Sequence, residues 1–267
     1  MAIEEKLNEK QGHWILAKVG KKVLRPGGKE LTMLLIKNMD INPSDDVVEF
    51  APGLGFTASL ACAKKPNSYI GVDRNKQASE LAKKNIRYDK VKMIVADAAD
   101  TTLPDNCATK VYGEAMLTMQ PPEHKKAIVR EAARILKAGG YYGIHEMGLQ
   151  PDHIADDIKE NVYRDLSSNI RVHARPLTAQ EWCKLLEDEG FDIVKVNTNA
   201  MALLDLKRVL QDEGLFRTLK VTFNILRYGD LRKRILQMRQ IFHKHRNNIN
   251  SIAIVAQKKQ DQIIMES

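Results

Sequence analysis

Residues 47–58 read V-V-E-F-A-P-G-L-G-F-T-A, and this stretch constrains the fold more than any other in the chain. Val47, Val48 and Phe50 form a short apolar run of strand type, which Pro52 and Gly53 stop at once. Gly53 and Gly55 put two residues without a Cβ into the turn, and Thr57 to Lys64 resumes as an alanine-rich helical segment. Strand, glycine turn and helix N-terminus in that order aim backbone N–H groups and the positive end of the helix dipole to one side. The result is a cradle suited to a nucleotide or a carboxylate.

The spacing Gly53-x-Gly55-x-x-Ala58 satisfies the permissive dinucleotide fingerprint, which leaves the identity of the nucleotide cofactor open. A second strand-like run, Tyr69-Ile70-Gly71-Val72-Asp73, ends on an acid 18 residues after Gly55, where it can accept from both hydroxyls of a ribose. A third run, Val91 to Ala96, is followed by Asp97, at the point where the sheet edge would meet an adenine ring. Glu49, Asp73 and Asp97 therefore close three successive strands.

With these residues in view, the chain resembles the class I S-adenosylmethionine-dependent methyltransferases of the small-molecule type. The family's first motif is an acid, an apolar residue, a small residue and a G-x-G turn. It is matched by Glu49-Phe50-Ala51-Pro52-Gly53-Leu54-Gly55, with Ala51 where the family usually carries glycine. Asp73 matches the family's ribose-binding acid, and Ala96-Asp97-Ala98 resembles the segment that brackets the adenine. The run from Glu131 to Gly140 is similar to the helix and turn that enter the fifth strand, with Ala138 replacing the commoner proline. The likeness spans Val47 to Val196 and a final strand. It implies S-adenosyl-L-methionine as cofactor, held by Glu49, Ala51, Pro52, Gly53, Gly55, Asp73, Arg74, Asp97 and Ala98. It also implies an α/β fold with a doubly wound, mostly parallel, Rossmann-like sheet of seven strands, the last one antiparallel.

Taken in order, residues 1–40 read as a helical lid ahead of the first strand. Their punctuation is Leu24-Arg25-Pro26-Gly27-Gly28-Lys29, where a proline and two glycines end one helix before the next begins. One reading of that turn is a helix–helix connection. The other has Arg25 and the Gly28 N–H meeting the cofactor's methionine carboxylate or an anionic substrate. Thr109 to Met116 reads as the fourth strand, with Glu114 near its carboxyl end, where open parallel sheets collect their ligands. The loop Met116 to Pro122 follows, and in the family such a loop lines the transfer site, which makes Met119 and Gln120 candidate contacts.

Tyr141 to His145 reads as the fifth strand and runs into Glu146. Glu146, Glu114 and His145 are the candidates for a base that takes a proton from the methyl acceptor, each set against a buried structural role. Neighbouring strand residues point to opposite faces, so one of His145 and Glu146 is expected to face the ligand. Residues 148–176, containing a helix-like Ala155 to Leu166, and residues 201–247 are expected to be helical cap insertions. Tyr163, Arg164 and His173 in the first cap are candidate substrate contacts or plain surface. Thr178 and Glu181 form a capping box for the next helix.

The 267 residues suffice for one α/β domain with these additions. No apolar run approaches the ~20 residues of a membrane span, and Met1-Ala2-Ile3-Glu4-Glu5-Lys6 has no basic start or apolar core of a secretory signal, so the cytoplasm is the expected location. Three cysteines, far apart and in no C-x-x-C pair, indicate neither a disulfide framework nor a metal site. The net charge of +8 lies largely in two basic stretches. In the second, Leu231, Ile235, Met238 and Phe242 recur at helical spacing, as one buried stripe beneath a basic face. That face is either merely solvated or directed at phosphates or a membrane surface.

The expected activity is methyl transfer from S-adenosylmethionine to a small-molecule or lipid-like acceptor by a monomer or homodimer, with no nucleic-acid partner and with peripheral membrane contact left open. The alternatives are an RNA methyltransferase using the basic surface, an NAD-dependent oxidoreductase sharing the glycine turn, and a non-catalytic binding module.

Overall fold

The computed structural model describes residues 19–20, 25–170, 173–201 and 206–260. The remaining part of the expected N-terminal lid lies outside the described residues. Helix α1 (Gly28–Met39) precedes strand β1 (Asp46–Phe50), which leads through the glycine turn into α2 (Phe56–Cys62). Strand β2 (Ser68–Asp73), α3 (Lys76–Asn85), β3 (Val91–Val95) and β4 (Ala108–Glu114) continue the alternation. A short 3₁₀ turn (Leu117–Met119), α4 (Pro122–Ile135) and β5 (Leu136–Leu149) follow. Then come α5 (Asp156–Ile170), the two-residue β6 (Leu177–Thr178), α6 (Ala179–Asp188) and β7 (Phe191–Ala200). Helices α7 (Leu206–Glu213), α8 (Leu215–Arg227) and α9 (Gly229–Lys244) precede β8 (Ile249–Lys258).

The sheet order is β3-β2-β1-β4-β5-β8-β7, parallel from β3 to β5, with β8 antiparallel to both of its neighbours. This is the expected doubly wound sheet. The two-residue β6, which pairs with the end of β5, adds an eighth strand to the seven expected. Parallel strands are buried on both faces, which is why Val47, Val48 and Phe50 of β1 are all apolar. Val48 and Phe50 enter one core with Val111, Tyr142, Ile144 and Trp182, while Val47 enters the other with Leu31, Leu35, Met39 and Tyr69.

Strand β5 is longer than the sequence suggests, beginning at Leu136 and running past His145 to Leu149. Its extension carries the caps. Met147 and Leu149 join Val162 and Leu166 of α5, Val221 of α8 and Ile235, Met238 and Phe242 of α9 in a third core at the carboxyl edge of the sheet. Each large apolar side chain buried there contributes about 1.5–3 kcal/mol, which fixes the caps to that edge. The expected second cap resolves into α7, α8 and α9, broken at Gly214, with φ of 75°, and at Tyr228. Thr178 and Glu181 complete the capping box of α6 with both reciprocal bonds.

The end of β1 carries backbone strain. Ala51 sits in the left-handed region at φ 51°, and its N–H donates to the Val72 carbonyl at 2.8 Å. A left-handed conformation costs an L-residue roughly 1–2 kcal/mol, partly offset in a glycine variant by the greater freedom of its unfolded chain. Ala51→Gly should therefore raise stability by up to about 1 kcal/mol, or about 2–4 °C in thermal midpoint. A lower midpoint in calorimetry would show that Ala51 is not strained in solution.

Candidate functional site

The glycine turn forms the cradle that its sequence suggests. Gly53 and Gly55 take φ of 58° and 78°, and the Gly55 N–H donates to the Pro52 carbonyl at 2.9 Å. The two glycines serve different ends. A Cβ on Gly55 would press within 3.1 Å of the Ala82 carbonyl and 3.2 Å of Ile86, so its absence lets α2 start close against α3. Among the described residues a Cβ on Gly53 would meet nothing nearer than the Ala51 carbonyl at 4.0 Å, so that side of the turn is left open by them.

Asp73 ends β2 half-buried. Its Oδ1 accepts from the Asn75 N–H at 2.8 Å, while Oδ2 makes no hydrogen bond among the described residues. Burial raises the carboxyl above the usual carboxylate value, as expected for an acid short of donors. Asp97 accepts from the Ala99 N–H at 2.8 Å and pairs with His124 Nε2 at 3.2 Å. The exposed Arg74 guanidinium lies 3.8 Å from its second oxygen. Ala98 is buried beside it and Pro52 is buried in the turn.

Glu114, at the carboxyl end of β4, is the most heavily engaged side chain. It accepts from the Thr32 hydroxyl of α1 at 2.7 Å, from the Thr57 hydroxyl in the first turn of α2, and pairs with His145 Nδ1 at 2.7 Å and with the Arg25 guanidinium. His145 Nε2 faces the Pro26 carbonyl at 2.5 Å, so both ring nitrogens are engaged. Burial would raise the Glu114 carboxyl, but Arg25 and His145 outweigh it and hold it down at about 2. The turn at residues 25–28 is thus fastened to β4 and β5. The Gly28 N–H donates within that turn to the Arg25 carbonyl at 3.2 Å, and the Lys29 N–H donates to Asp212 of α7 at 2.9 Å.

Glu146, one residue on, points the other way. One oxygen accepts from the Met116 and Leu117 N–H groups at 2.9 and 2.8 Å, and the other from the Thr118 N–H and hydroxyl at 3.0 and 2.7 Å. It fixes the loop after β4, in which Met119 and Gln120 lie half-buried, and it is fully buried, as is His145. Alternation along β5 therefore separates the two residues as expected, but each is spent on a structural partner.

Glu49 is also fully buried and points into the core beneath α1. Its Oε2 accepts from the hydroxyls of Tyr69, at 2.5 Å, and Tyr112, at 2.6 Å. Burial, opposed by the two tyrosines, pushes its carboxyl up to about 7. In the first cap, Tyr163 is buried with its hydroxyl donating to the Pro176 carbonyl at 3.0 Å, while Arg164 and His173 are exposed. The sequence reading missed Thr32, Thr57, Tyr69, Tyr112 and Thr118 as partners of the buried acids. Their only signal was a hydroxyl on an otherwise apolar strand or helix face.

A mostly parallel sheet with a glycine turn after β1, Asp73 at the end of β2 and Asp97 after β3 defines a Rossmann-like α/β protein. Residues 48–144 match a family model described as a methyltransferase domain. Over 252 residues the chain is 33% identical to an uncharacterized protein of Haemophilus influenzae, covering 92% of this chain and 98% of that one. The solved MccD protein superposes with a TM-score of 0.66 at 23% identity, covering 88% of this chain and 99% of its own. Phosphoethanolamine N-methyltransferase 2 of Haemonchus contortus, in complex with phosphomonomethylethanolamine and S-adenosylhomocysteine, gives 0.71 at 16% identity, covering 96% of this chain and 60% of its own. The chain belongs to that methyltransferase-domain family and is an enzyme, with the fold of the class I S-adenosylmethionine-dependent methyltransferases.

Two stability effects follow from the buried acids. The folded value of Glu49, about 7, lies above the ordinary 4.5, so the fold favours the neutral acid. Its contribution is fully present below pH 4.5 and is lost as pH rises through 7, a loss on the order of 3 kcal/mol. Urea midpoints at about pH 5 and about pH 8 should therefore differ more in the wild type than in Glu49→Gln. Parallel behaviour would refute the assignment. Glu114→Gln leaves Arg25 and His145 without their carboxylate and should destabilise by about 3–5 kcal/mol at neutral pH, measured by the same titration. A change below about 1 kcal/mol would mean that the pair is open in solution.

Proposed function

We propose that the enzyme transfers the methyl group of S-adenosyl-L-methionine to a small-molecule or lipid-like acceptor held between the carboxyl edge of the sheet and the helical caps. The observation that carries this reading is the pairing, among the described residues, of the half-buried Asp73, with one carboxylate oxygen uncommitted, and the open side of the turn at Gly53. These residues fit the cofactor. Asp73 would accept from its ribose hydroxyls, Asp97 and Ala98 would border the adenine, and the turn at Ala51, Pro52, Gly53 and Gly55 would receive the rest. Arg74, exposed beside Asp97, would flank the nucleoside.

When bound, the cofactor supplies a methyl already activated on a sulfonium, so the chain's work is alignment and exclusion of water. Glu146 holds the loop after β4 in place through four hydrogen bonds, and Glu114, His145 and Arg25 hold the turn at residues 25–28. We assign Glu146, Glu114 and His145 as positioning groups, since the oxygens and nitrogens that a base would use are already bonded. Glu49 supports the cradle from below, through Tyr69 and Tyr112, without reaching the ligand. The acceptor is then one whose nucleophile needs no proton removed by these three side chains.

Calorimetric titration with S-adenosylhomocysteine, with NADH in parallel, tests the cofactor assignment. S-adenosylhomocysteine should bind the wild type, and Asp73→Ala should weaken it by about 1–3 kcal/mol, the value of the lost hydrogen bonds. Binding of NADH alone, or unchanged affinity in the variant, would overturn the assignment of Asp73.

A further inference from the structure

The outer face of α8 is apolar. Leu215, Phe216, Leu219, Phe223 and Leu226 are all more than half exposed, Phe216 at 88%. At about 100° per residue these five positions fall within an arc of about 100°, a continuous stripe turned away from the protein. The inner face carries the buried Thr218 and Val221, so the helix is held from behind while the stripe points outward. Exposed Lys220 and Arg227 border the stripe, and exposed Arg232, Lys233 and Arg239 continue along α9. Residues 214–246 contain nine Lys and Arg and one Asp, a surplus of eight. That surplus equals the net charge of the whole chain, +8, so the other residues balance at 33 of each sign.

We propose that α8 lies on the surface of an anionic lipid bilayer, with the Leu and Phe stripe entering the interface and the Lys and Arg side chains meeting lipid phosphates. A stripe of Leu and Phe beside a strongly basic border is the pattern of a helix that rests in the plane of a membrane. The charge also argues against the other occupants. A second copy packed through the same face would bring two segments of like charge together, and a nucleic acid would leave the leucines facing water. Among the described residues no helix is long and apolar enough to cross a membrane, so the protein would rest on the bilayer without spanning it. The stripe belongs to the cap that bonds to α1 through Asp212 and to the Val19 carbonyl through Asn224, at 2.9 and 3.0 Å. Docking therefore holds the carboxyl edge of the sheet close to the lipid. The inference does not depend on which acceptor is methylated.

The test is co-sedimentation of the full chain with vesicles of equal parts phosphatidylglycerol and phosphatidylcholine, against vesicles of phosphatidylcholine alone, over a salt series. Wild type should bind the anionic vesicles, bind the zwitterionic ones weakly, and lose affinity as salt rises. Phe216→Glu combined with Phe223→Glu should lower the partition coefficient at least roughly tenfold, and Lys220→Glu with Arg227→Glu by about fivefold per charge removed. All these positions are exposed and distant from the cradle, and circular dichroism confirms that each variant is folded. Absence of sedimentation, or equal binding by the wild type and the phenylalanine variant, would overturn the proposal. So would a dimer that the phenylalanine variant dissolves, or RNA binding that survives it.

Discussion

The carboxylate of Glu114 is the interaction on which the arrangement of the site depends. It gathers the turn at residues 25–28, the first turns of α1 and α2 and the end of β5 onto the tip of β4, through Arg25, Thr32, Thr57 and His145. A charge removed from water at that depth is costly, and the cost is met by the Thr32 and Thr57 hydroxyls, His145 and the paired Arg25 guanidinium. The energetic consequence is asymmetry: the pair adds little net stability over an apolar alternative, yet losing one member exposes the other to an apolar interior. Such a cluster specifies geometry. The turn at residues 25–28 and the first turn of α2 keep one relative position because a single buried anion holds both segments, while the neighbouring Glu146 holds the loop after β4.

The three acids buried nearest the cradle show three different balances. Glu114 has a guanidinium beside it and is held low. Glu49 has only tyrosine hydroxyls and is driven up to about 7. Glu146, held by amide and hydroxyl donors around the 3₁₀ turn, is raised above its ordinary value by burial despite them. All three are buried and accept from partners within the chain. Asp73 differs because it is only half-buried, and among the described residues its Oδ2 has no donor. Acceptor capacity at a strand's carboxyl end is what a ribose with two hydroxyls would satisfy under the proposed function.

The sequence carried most of the fold because its strands are marked locally. Val47, Val48 and Phe50 followed by Pro52 and Gly53 need no distant partner to be read, and Asp73 and Asp97 mark their strand ends in the same way. The direction taken by an acid at a strand end was not legible. Glu49, Glu114 and Glu146 looked like ligands of the site, but their partners are tyrosines, threonines and backbone amides from other segments of the chain. Partners so remote leave no periodic trace. The extension of β5 to Leu149 was hidden for a related reason, since Met147 and Leu149 are buried only by caps that arrive later in the chain.

The caps also explain why charge and chemistry separate in this molecule. The residues outside 214–246 balance their charges, as a sheet with a small nucleotide cofactor and an enclosed acceptor requires no field of either sign. A surplus of eight sits on residues 214–246, seven of it on α8 and α9 themselves, and the inner stripe of α9, Ile235, Met238 and Phe242, seals the third core. Satisfying that core used only one side of each helix. The other side of α8 remains apolar where a solvated helix would be polar, and burial within the chain does not account for it. A lipid surface supplies the apolar medium that the exposed Leu and Phe side chains lack and anions for the exposed Lys220, Arg227, Arg232, Lys233 and Arg239. The same two helices then close the core on one face and meet the bilayer on the other.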